Sequence, residues 1–287
     1  AAAPGAASAA VKAVAATPAK RFSGLLAQFA EELLKLAPAT ATSLGLDSGP
    51  RLALKSQWGD GSPAGDAKWA GQVKSMLARL GTVNRATLSP ADQIRYDTVK
   101  HAATMGVAGT KWKFGGAASG WGGGTAPYPV TQQDGAVTAV PEFLNSQHQI
   151  KNRADAEAYV ARVAGFARLL DQETAKILDQ GSLAIAPPSF IVSNALGQLK
   201  GYRQTPVGEQ KIVNSIVERT GKAGIVGNWG PRVSKLVEAM VYPALERQIA
   251  ALSLTSAHGS DVAGVHRLPD GEAYYQWALR LGTTTTQ

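Results

Sequence analysis

The sequence predicts an all-α protein. Apolar residues recur at steps of three and four in several long segments, which is the spacing of one helix face. Capping residues and prolines stand where these segments begin, and glycines or prolines stand where they end. Runs that alternate apolar and polar residues, as strands do, are nearly absent apart from residues 183–185. These observations together favour an array of packed helices.

Three helices are predicted in the first half of the chain. The first carries an apolar stripe from Phe22 onwards and ends before Pro38. The second covers residues 66–80 and stops at a glycine. The third begins at Ser89, which can accept a hydrogen bond from the first turn, followed by Pro90 at a position that tolerates proline. We expect it to run to residue 105.

The second half is predicted to be helical as well. Asn152 is a candidate N-cap for a helix that keeps one apolar face as far as Gly181. A break at residues 186–188 precedes a short helix through residue 199. The clearest apolar stripe starts near Pro231 and holds for about five turns, and Pro243 inside it is expected to kink the helix.

Between the two halves, residues 111–133 predict a glycine-rich loop. The segment has no G-x-x-x-x-G-K-[ST] pattern and no strand-to-helix context, so a phosphate-binding loop is excluded. A mobile loop or lid is the preferred interpretation. Its last part leads into residues 128–135, the 128–135 loop, in which Tyr128 and Gln132 stand among prolines and before Gly135. Stiff prolines and a permissive glycine suit either a structural joint or the rim of a pocket.

A second unusual turn, residues 268–272, lies near the other terminus. Asp270 and Gly271 form a turn that can cap a last helix carrying Tyr274 and Tyr275. A threonine run follows, and we expect the polypeptide to continue beyond it. We therefore divide the sequence into a flexible alanine-rich tail, residues 1–20, left by removal of a signal peptide, and a helical domain, residues 21–287.

Composition excludes several classes of protein. Twenty-nine Lys and Arg against 21 Asp and Glu give a net charge of +8, but the basic residues are scattered and no nucleic-acid motif accompanies them, so we predict no nucleic-acid partner. The absence of cysteine excludes disulfides, thiolate metal sites and a cysteine nucleophile. No apolar stretch is long enough to predict a membrane span.

Candidate catalytic groups are sparse. None of the four histidines is followed by glutamate, and none pairs with another at the spacing of a helical zinc motif, so a metal site made from this chain alone is disfavoured. No G-x-S-x-G motif occurs, which argues against a serine hydrolase. Neighbouring carboxylates such as Asp171 and Glu173 are interpreted as solvated helix faces.

Four segments in order nevertheless point to a family. Residues 128–135 (YPVTQQDG), 155–162 (DAEAYVAR), 186–188 (APP) and 269–275 (PDGEAYY) resemble the bacterial domain-of-unknown-function 885 family. Residues 37–45 (APATATSLG) resemble an early stretch of that family, so the resemblance covers nearly the whole chain after the tail.

The resemblance implies an exported, periplasmic or secreted, all-helical protein similar in plan to zinc metallopeptidases. In that plan two helical halves enclose a substrate channel, and zinc, which activates a water molecule, is bound in the C-terminal half. No position of this sequence matches a zinc ligand, so no catalytic or metal-binding residue is assigned to it. The implied role is one wall of the channel. Its implied partners are a C-terminal half and a peptide substrate, and the substrate-cleft candidates are Tyr128, Gln132, Gly135, Asp270, Gly271, Tyr274 and Tyr275.

A second hypothesis comes from another class of protein. A non-catalytic helical binding or scaffold protein of the cell envelope would have the same helices and loops. It would show no hydrolysis in any context, and this separates it from the peptidase hypothesis.

Overall fold

The computed structural model describes residues 17–256, 260–283 and 285, and the secondary structure of these residues is helical without strands. The prediction of an all-α protein is therefore confirmed. The α-helices are α1 (Pro18–Leu36), α2 (Pro38–Ser43), α3 (Pro63–Gly81), α4 (Pro90–Gly109), α5 (Ala136–Ser146), α6 (Arg153–Ser182), α7 (Ser189–Gln204), α8 (Lys211–Lys222), α9 (Trp229–Leu236), α10 (Tyr242–Ser256) and α11 (Gly271–Thr283). None of the described helices is both long enough and apolar enough to cross a membrane.

Helices α1, α3 and α4 form an N-terminal layer around their own apolar core. The predicted Ser89 cap is confirmed, since its side chain accepts a hydrogen bond from the backbone N–H of Asp92. Helix α1 begins at Pro18, so residues 18–20 are helical rather than part of a tail, whereas residues 1–16 lie outside the described residues. The buried members of this core are Phe22, Phe29, Met76, Leu80, Leu88 and Tyr96.

The glycine-rich segment is packed and does not form an open lid. Residues Gly116–Gly123 form short 3-10 turns that contact α3 and α4. Gly115 has a φ of 58°, and a Cβ there would lie 2.3 Å from the carbonyl oxygen of Ala126, so this turn requires glycine. Around it a second apolar core gathers aromatic residues from the segment and from α11. Its buried members are Trp112, Phe114, Ala117, Tyr128, Ile185, Leu268, Tyr274 and Trp277.

The largest core surrounds α6, which is 30 residues long and packs against α5, α8, α9 and α10. The predicted Asn152 cap is confirmed by its hydrogen bond from the Asp155 N–H, 3.0 Å. The predicted kink at Pro243 takes the form of a π-helical turn, Val237–Val241, between α9 and α10. Proline has no N–H and crowds the carbonyl four residues earlier, so widening the preceding turn keeps the apolar stripe continuous.

A buried arginine joins the N-terminal segment to α6. The Arg162 side chain is fully buried, and its guanidinium group lies 5.0 Å from the ring centre of Trp58 and 4.9 Å from that of Phe143. It donates hydrogen bonds to Thr42 Oγ1 (2.7 Å) and to the carbonyl oxygens of Leu54 and Gln57. Burial lowers the pKa of Arg162 to about 10, so the group stays charged at neutral pH.

The same guanidinium fixes the state of His148. Arg162 Nη1 lies 3.2 Å from His148 Nδ1, and an arginine can only donate, so Nδ1 carries no proton. The proton is then on Nε2, which donates to the carbonyl oxygen of Asp155 at 2.9 Å. Burial, with a further contribution from Arg162, lowers the pKa of His148 to about 4.

The first prediction concerns Arg162. In Arg162→Lys a single ammonium group cannot reach acceptors on three segments, so buried acceptors lose their partners and unfolding becomes easier by about 3 kcal/mol. Urea denaturation of the two proteins measures the difference. Arg85→Lys is the control, because Arg85 is exposed and pairs with exposed Asp97. Equal losses of stability in the two variants would contradict the tethering role of Arg162.

The second prediction concerns pH. Because the pKa of His148 is lower in the folded chain (about 4) than in the unfolded chain (6.5), the unfolded chain binds more protons between these values. Stability contributed by neutral His148 is complete above pH 6.5 and falls by about 3 kcal/mol as pH drops towards 4. His148→Asn keeps an acceptor for Arg162 but does not titrate. The stability advantage of wild type over the variant should therefore shrink on acidification; a constant difference would show that His148 is not buried in its neutral form.

Candidate functional site

A cavity of about 630 Å³ lies between α6, the start of α5 and the 128–135 loop. This volume is within the range of small-molecule sites. One side is apolar and the other carries polar side chains from α3 and α6. The residues that line it are Ala39, Trp58, Gly61, Asp66, Gly115, Gly116, Ala126, Tyr128, Pro129, Asp134, Gly135, Ala136, Ala139, Val140, Phe143, Leu169, Glu173, Lys176 and Gln180.

Trp58 and Phe143 form the aromatic part of the wall. Their rings meet edge to face with centres 5.1 Å apart, and the Trp58 indole N–H donates to the carbonyl oxygen of Arg162 at 2.8 Å. A Cβ at Gly165 would come within 2.7 Å of the Trp58 ring, so glycine at that position of α6 lets the indole approach the helix. The aromatic wall is thus held by the same arginine that ties the N-terminal segment to α6.

Glu173 is the most perturbed carboxylate at the cavity. Its Oε1 accepts a hydrogen bond from the Ala136 N–H (2.7 Å), at the start of α5, and its Oε2 accepts one from Gln248 Nε2 (2.8 Å). Burial takes the carboxyl group of half-buried Glu173 out of water and raises its pKa to about 7. Both hydrogen bonds favour the ionised form and oppose this shift. A carboxylate that titrates near neutrality in a cavity is a typical feature of a functional site.

Asp66 and Lys176 form an ion pair at the same wall. The Lys176 ammonium group lies 2.8 Å from the Asp66 carboxylate, and both side chains are mostly buried. Burial raises the pKa of Asp66, and the pairing with Lys176 opposes that effect. The charge of Lys176 is therefore largely compensated by Asp66.

Two of the sequence-predicted site residues line the cavity. Tyr128 is buried, its hydroxyl oxygen accepts a hydrogen bond from Arg267 at 2.9 Å, and burial raises its pKa, so the phenol is neutral. Gly135 has a φ of 124° and ends the loop at the first turn of α5, where a Cβ would approach Val130 and Glu173. The sequence left a structural joint and a pocket rim open for this loop; it lines the cavity, and its Tyr128 also packs in the aromatic core. Gln132 of the same loop is not among the lining residues, and its buried Oε1 has no hydrogen-bond partner among the described residues.

The 268–272 turn does not reach this cavity. Asp270 pairs with Lys111, and Gly271 starts α11 as predicted. The buried Tyr274 donates to the carbonyl oxygen of Thr125 at 2.9 Å and packs in the aromatic core, whereas Tyr275 is exposed. Contact with substrate remains a prediction for all four residues of this group (Asp270, Gly271, Tyr274 and Tyr275).

Sequence reasoning missed the polar residues of α6. The interpretation of Asp171 and Glu173 as solvated is correct only for the first, which is exposed and pairs with Arg247. Glu173 was misjudged because a carboxylate on a helix is usually exposed. A signal existed, since Glu173 and Gln180 lie three residues after Leu170 and Ile177, within the apolar stripe of the helix.

The described residues offer no site that fits a zinc ion. Over residues 17–256, 260–283 and 285, no three or more His, Asp or Glu side chains are grouped as ligands. His148 serves the Arg162 network, His101 and His266 are exposed, and His258 lies outside the described residues. The lining of the cavity likewise contains no such group among the described residues.

The chain belongs to the family of bacterial proteins of unknown function called DUF885, whose model matches residues 38–287. A comparison with curated proteins finds no match. Among solved structures, the putative lipoprotein from Colwellia psychrerythraea is similar, with a TM-score of 0.84 and 18% sequence identity. The match covers 93% of this chain and 46% of the lipoprotein, so the chain spans about half the length of that relative. At this identity the likeness establishes the fold alone.

The third prediction tests the perturbed Glu173. Its pKa is raised from 4.5 when unfolded to about 7 when folded, so the folded chain binds more protons between these values and loses stability as pH rises through them. In Glu173→Gln, which cannot ionise, stability relative to wild type should increase by about 3 kcal/mol between pH 5 and 8.

Urea denaturation at both pH values makes the measurement. Asp171→Asn removes one carboxylate from the exposed face of the same helix and should follow the wild-type profile. If Glu173→Gln also follows it, the carboxyl group of Glu173 is not desolvated.

Proposed function

We propose that this chain forms one wall of the substrate channel of an exported zinc-dependent peptidase and supplies part of the grip on the peptide. The observation that carries the proposal is the cavity itself, which combines an apolar wall with polar groups that can hydrogen-bond a peptide backbone. Hydrolysis would require zinc held by a C-terminal half outside this sequence, on the same polypeptide or a second chain.

The length of the matched relative supports a division of the protein into a substrate-binding half and a zinc-binding half. The helical array aligns with 46% of the lipoprotein chain, which leaves room in such proteins for a second half of similar length. Because the described residues do not fit a zinc ion, no step of the reaction is assigned to them. Their role in the proposal is to bind and orient the substrate.

An exported location is part of the same proposal. The relative of similar fold is described as a putative lipoprotein, and lipoproteins are exported proteins held at a membrane by lipid rather than by a spanning helix. We therefore place the chain in the periplasm or among secreted proteins. Fractionation of cells that express the natural gene tests this placement.

The fourth prediction concerns zinc and hydrolysis. The longest natural polypeptide that contains this sequence should hold zinc stoichiometrically and cleave peptides from a mixed library, and chelation should abolish the cleavage. The 287-residue chain alone should hold no zinc. Metal content by mass spectrometry and product analysis by chromatography make the comparison. Stoichiometric zinc on the 287-residue chain would contradict our placement of the metal.

Two matched variants test the cavity as the substrate wall. Ala139 lines it from α5 and is exposed, so Ala139→Trp fills the space without entering the core. Thr138→Trp adds the same side chain to a neighbouring exposed position that does not line the cavity. We expect only the first variant to raise KM for peptides. A zinc-loaded polypeptide that cleaves no peptide would favour the alternative, a helical binding or scaffold protein of the cell envelope.

A further inference from the structure

The cavity is acidic although the protein is basic. The whole chain carries a net charge of +8, yet the ionisable side chains that line the cavity, Tyr128 apart, are Asp66, Asp134, Glu173 and Lys176. Lys176 is already paired with Asp66 at 2.8 Å. The remaining charge is negative, which favours a cationic group over an anionic one.

Glu173 forms no ion pair among the described residues, although Lys176, which pairs with Asp66, is near enough to favour its ionised form. Its two oxygens accept hydrogen bonds from a backbone N–H and from a neutral amide, and none of the ion pairs formed by the described residues includes it. A carboxylate taken out of water without a cationic partner carries a large cost. A ligand that brings a positive charge to this point would remove that cost.

Gln180 provides an independent indication of a ligand. The residue is 4% exposed and lines the cavity, and its Oε1 is buried without a hydrogen-bond partner among the described residues. Buried polar atoms in folded proteins are almost always paired with protein groups or ordered water, so the unpaired amide marks a point at which a bound molecule or a water completes the hydrogen bonding. A glutamine amide can donate or accept, and both roles suit a peptide group.

The spacing of these groups fits an extended chain. Glu173 and Gln180 are two turns apart on α6, a separation of about 10 Å along the helix axis. A peptide in extended conformation covers that length in about three residues. Lys176, paired with Asp66, lies between them on the same face of the helix. A molecule that reaches both Glu173 and Gln180 therefore spans about 10 Å, which is the length of a short peptide.

We propose that the cavity is a subsite for the primary ammonium group of a peptide, which pairs with Glu173 while the following amide groups hydrogen-bond to Gln180. The ammonium group is either the amino terminus of the peptide or a lysine side chain. Calling the ligand a peptide rests on the proposed function, whereas recognition of an ammonium group by Glu173 does not.

The test measures binding to the 287-residue chain by calorimetry at pH 7.5, without zinc and without hydrolysis. One pair of probes is trialanine amide and its N-acetyl derivative, which differ in the amino-terminal charge. The other pair is Nα-acetyl-lysine amide and Nα-acetyl-norleucine amide, which differ in the side-chain charge. In at least one pair the charged probe should bind roughly tenfold or more tightly than its neutral partner, the scale of one hydrogen bond to a charged group. The pair that shows the preference identifies the source of the ammonium group.

Three variants locate the contact. Glu173→Gln should abolish the preference for the charged probe. Gln180→Leu should weaken both members of the preferred pair while it keeps the preference. Asp171→Asn makes the same charge change on the exposed face of α6 and should bind as wild type does.

Two results would overturn the inference: equal affinity for charged and neutral probes in both pairs, or an unchanged preference in Glu173→Gln. The comparison of charged and neutral probes on the wild-type chain tests the inference even if a variant fails to fold. If the chain prefers the ammonium probes but the longer polypeptide cleaves no peptide, only the proposed function is contradicted.

Discussion

A buried positive charge that must be fully hydrogen-bonded is the constraint on which the rest of the structure depends. The Arg162 guanidinium group reaches three carbonyl or hydroxyl acceptors in residues 42–57 and one ring nitrogen of His148, so it fixes the end of α2 and the 3-10 segment that follows it against α6. Its faces are covered by Trp58 and Phe143, whose other contacts form the apolar wall of the cavity. The shape of the cavity therefore follows from where this one charge finds its acceptors.

Two sets of buried polar groups lie on either side of Trp58 and Phe143. They differ in how many of their polar atoms have hydrogen-bond or ion-pair partners. On the Arg162 side, both ring nitrogens of His148 have partners and Asp155 pairs with Lys55 at 2.8 Å, although Oδ2 of the nearby Asp47 has no described partner. On the cavity side, Glu173 forms no described ion pair and the Oε1 of Gln180 has no described partner. A satisfied network specifies a structure, whereas an unsatisfied one retains free energy that a ligand can use.

The two groups also act on stability in opposite directions over overlapping pH ranges. His148 favours unfolding as pH falls from 6.5 to about 4, and Glu173 favours it as pH rises from 4.5 to about 7. Their contributions are similar in size and opposite in sign, so they partly offset each other where the two pH ranges overlap.

The helices and their caps were predictable because they depend on residues close in sequence. Ser89, Asn152 and the turn at Gly271 each begin a helix as the local pattern indicated. Helices α2, α5 and α8 were not predicted. Helix α2 has only six residues, and α5 contains Pro141. The buried face of α8 includes Ser215 and Thr220, which interrupt its apolar pattern.

The candidate site was predictable only where backbone chemistry defines it. The prolines and Gly135 of the 128–135 loop suited a structural joint or a pocket rim, and Tyr128 and Gly135 line the cavity. The local signal for Glu173 and Gln180 was only their position within the apolar stripe of α6, and a polar residue on such a stripe becomes buried only when another element covers it. Here that element is the start of α5, whose first N–H at Ala136 is satisfied by Glu173. The first turn of α5 needs an acceptor for its N–H group, and the Glu173 carboxylate needs donors, so each group satisfies the other. Neither requirement can be recognised until the two segments, 37 residues apart, are packed together.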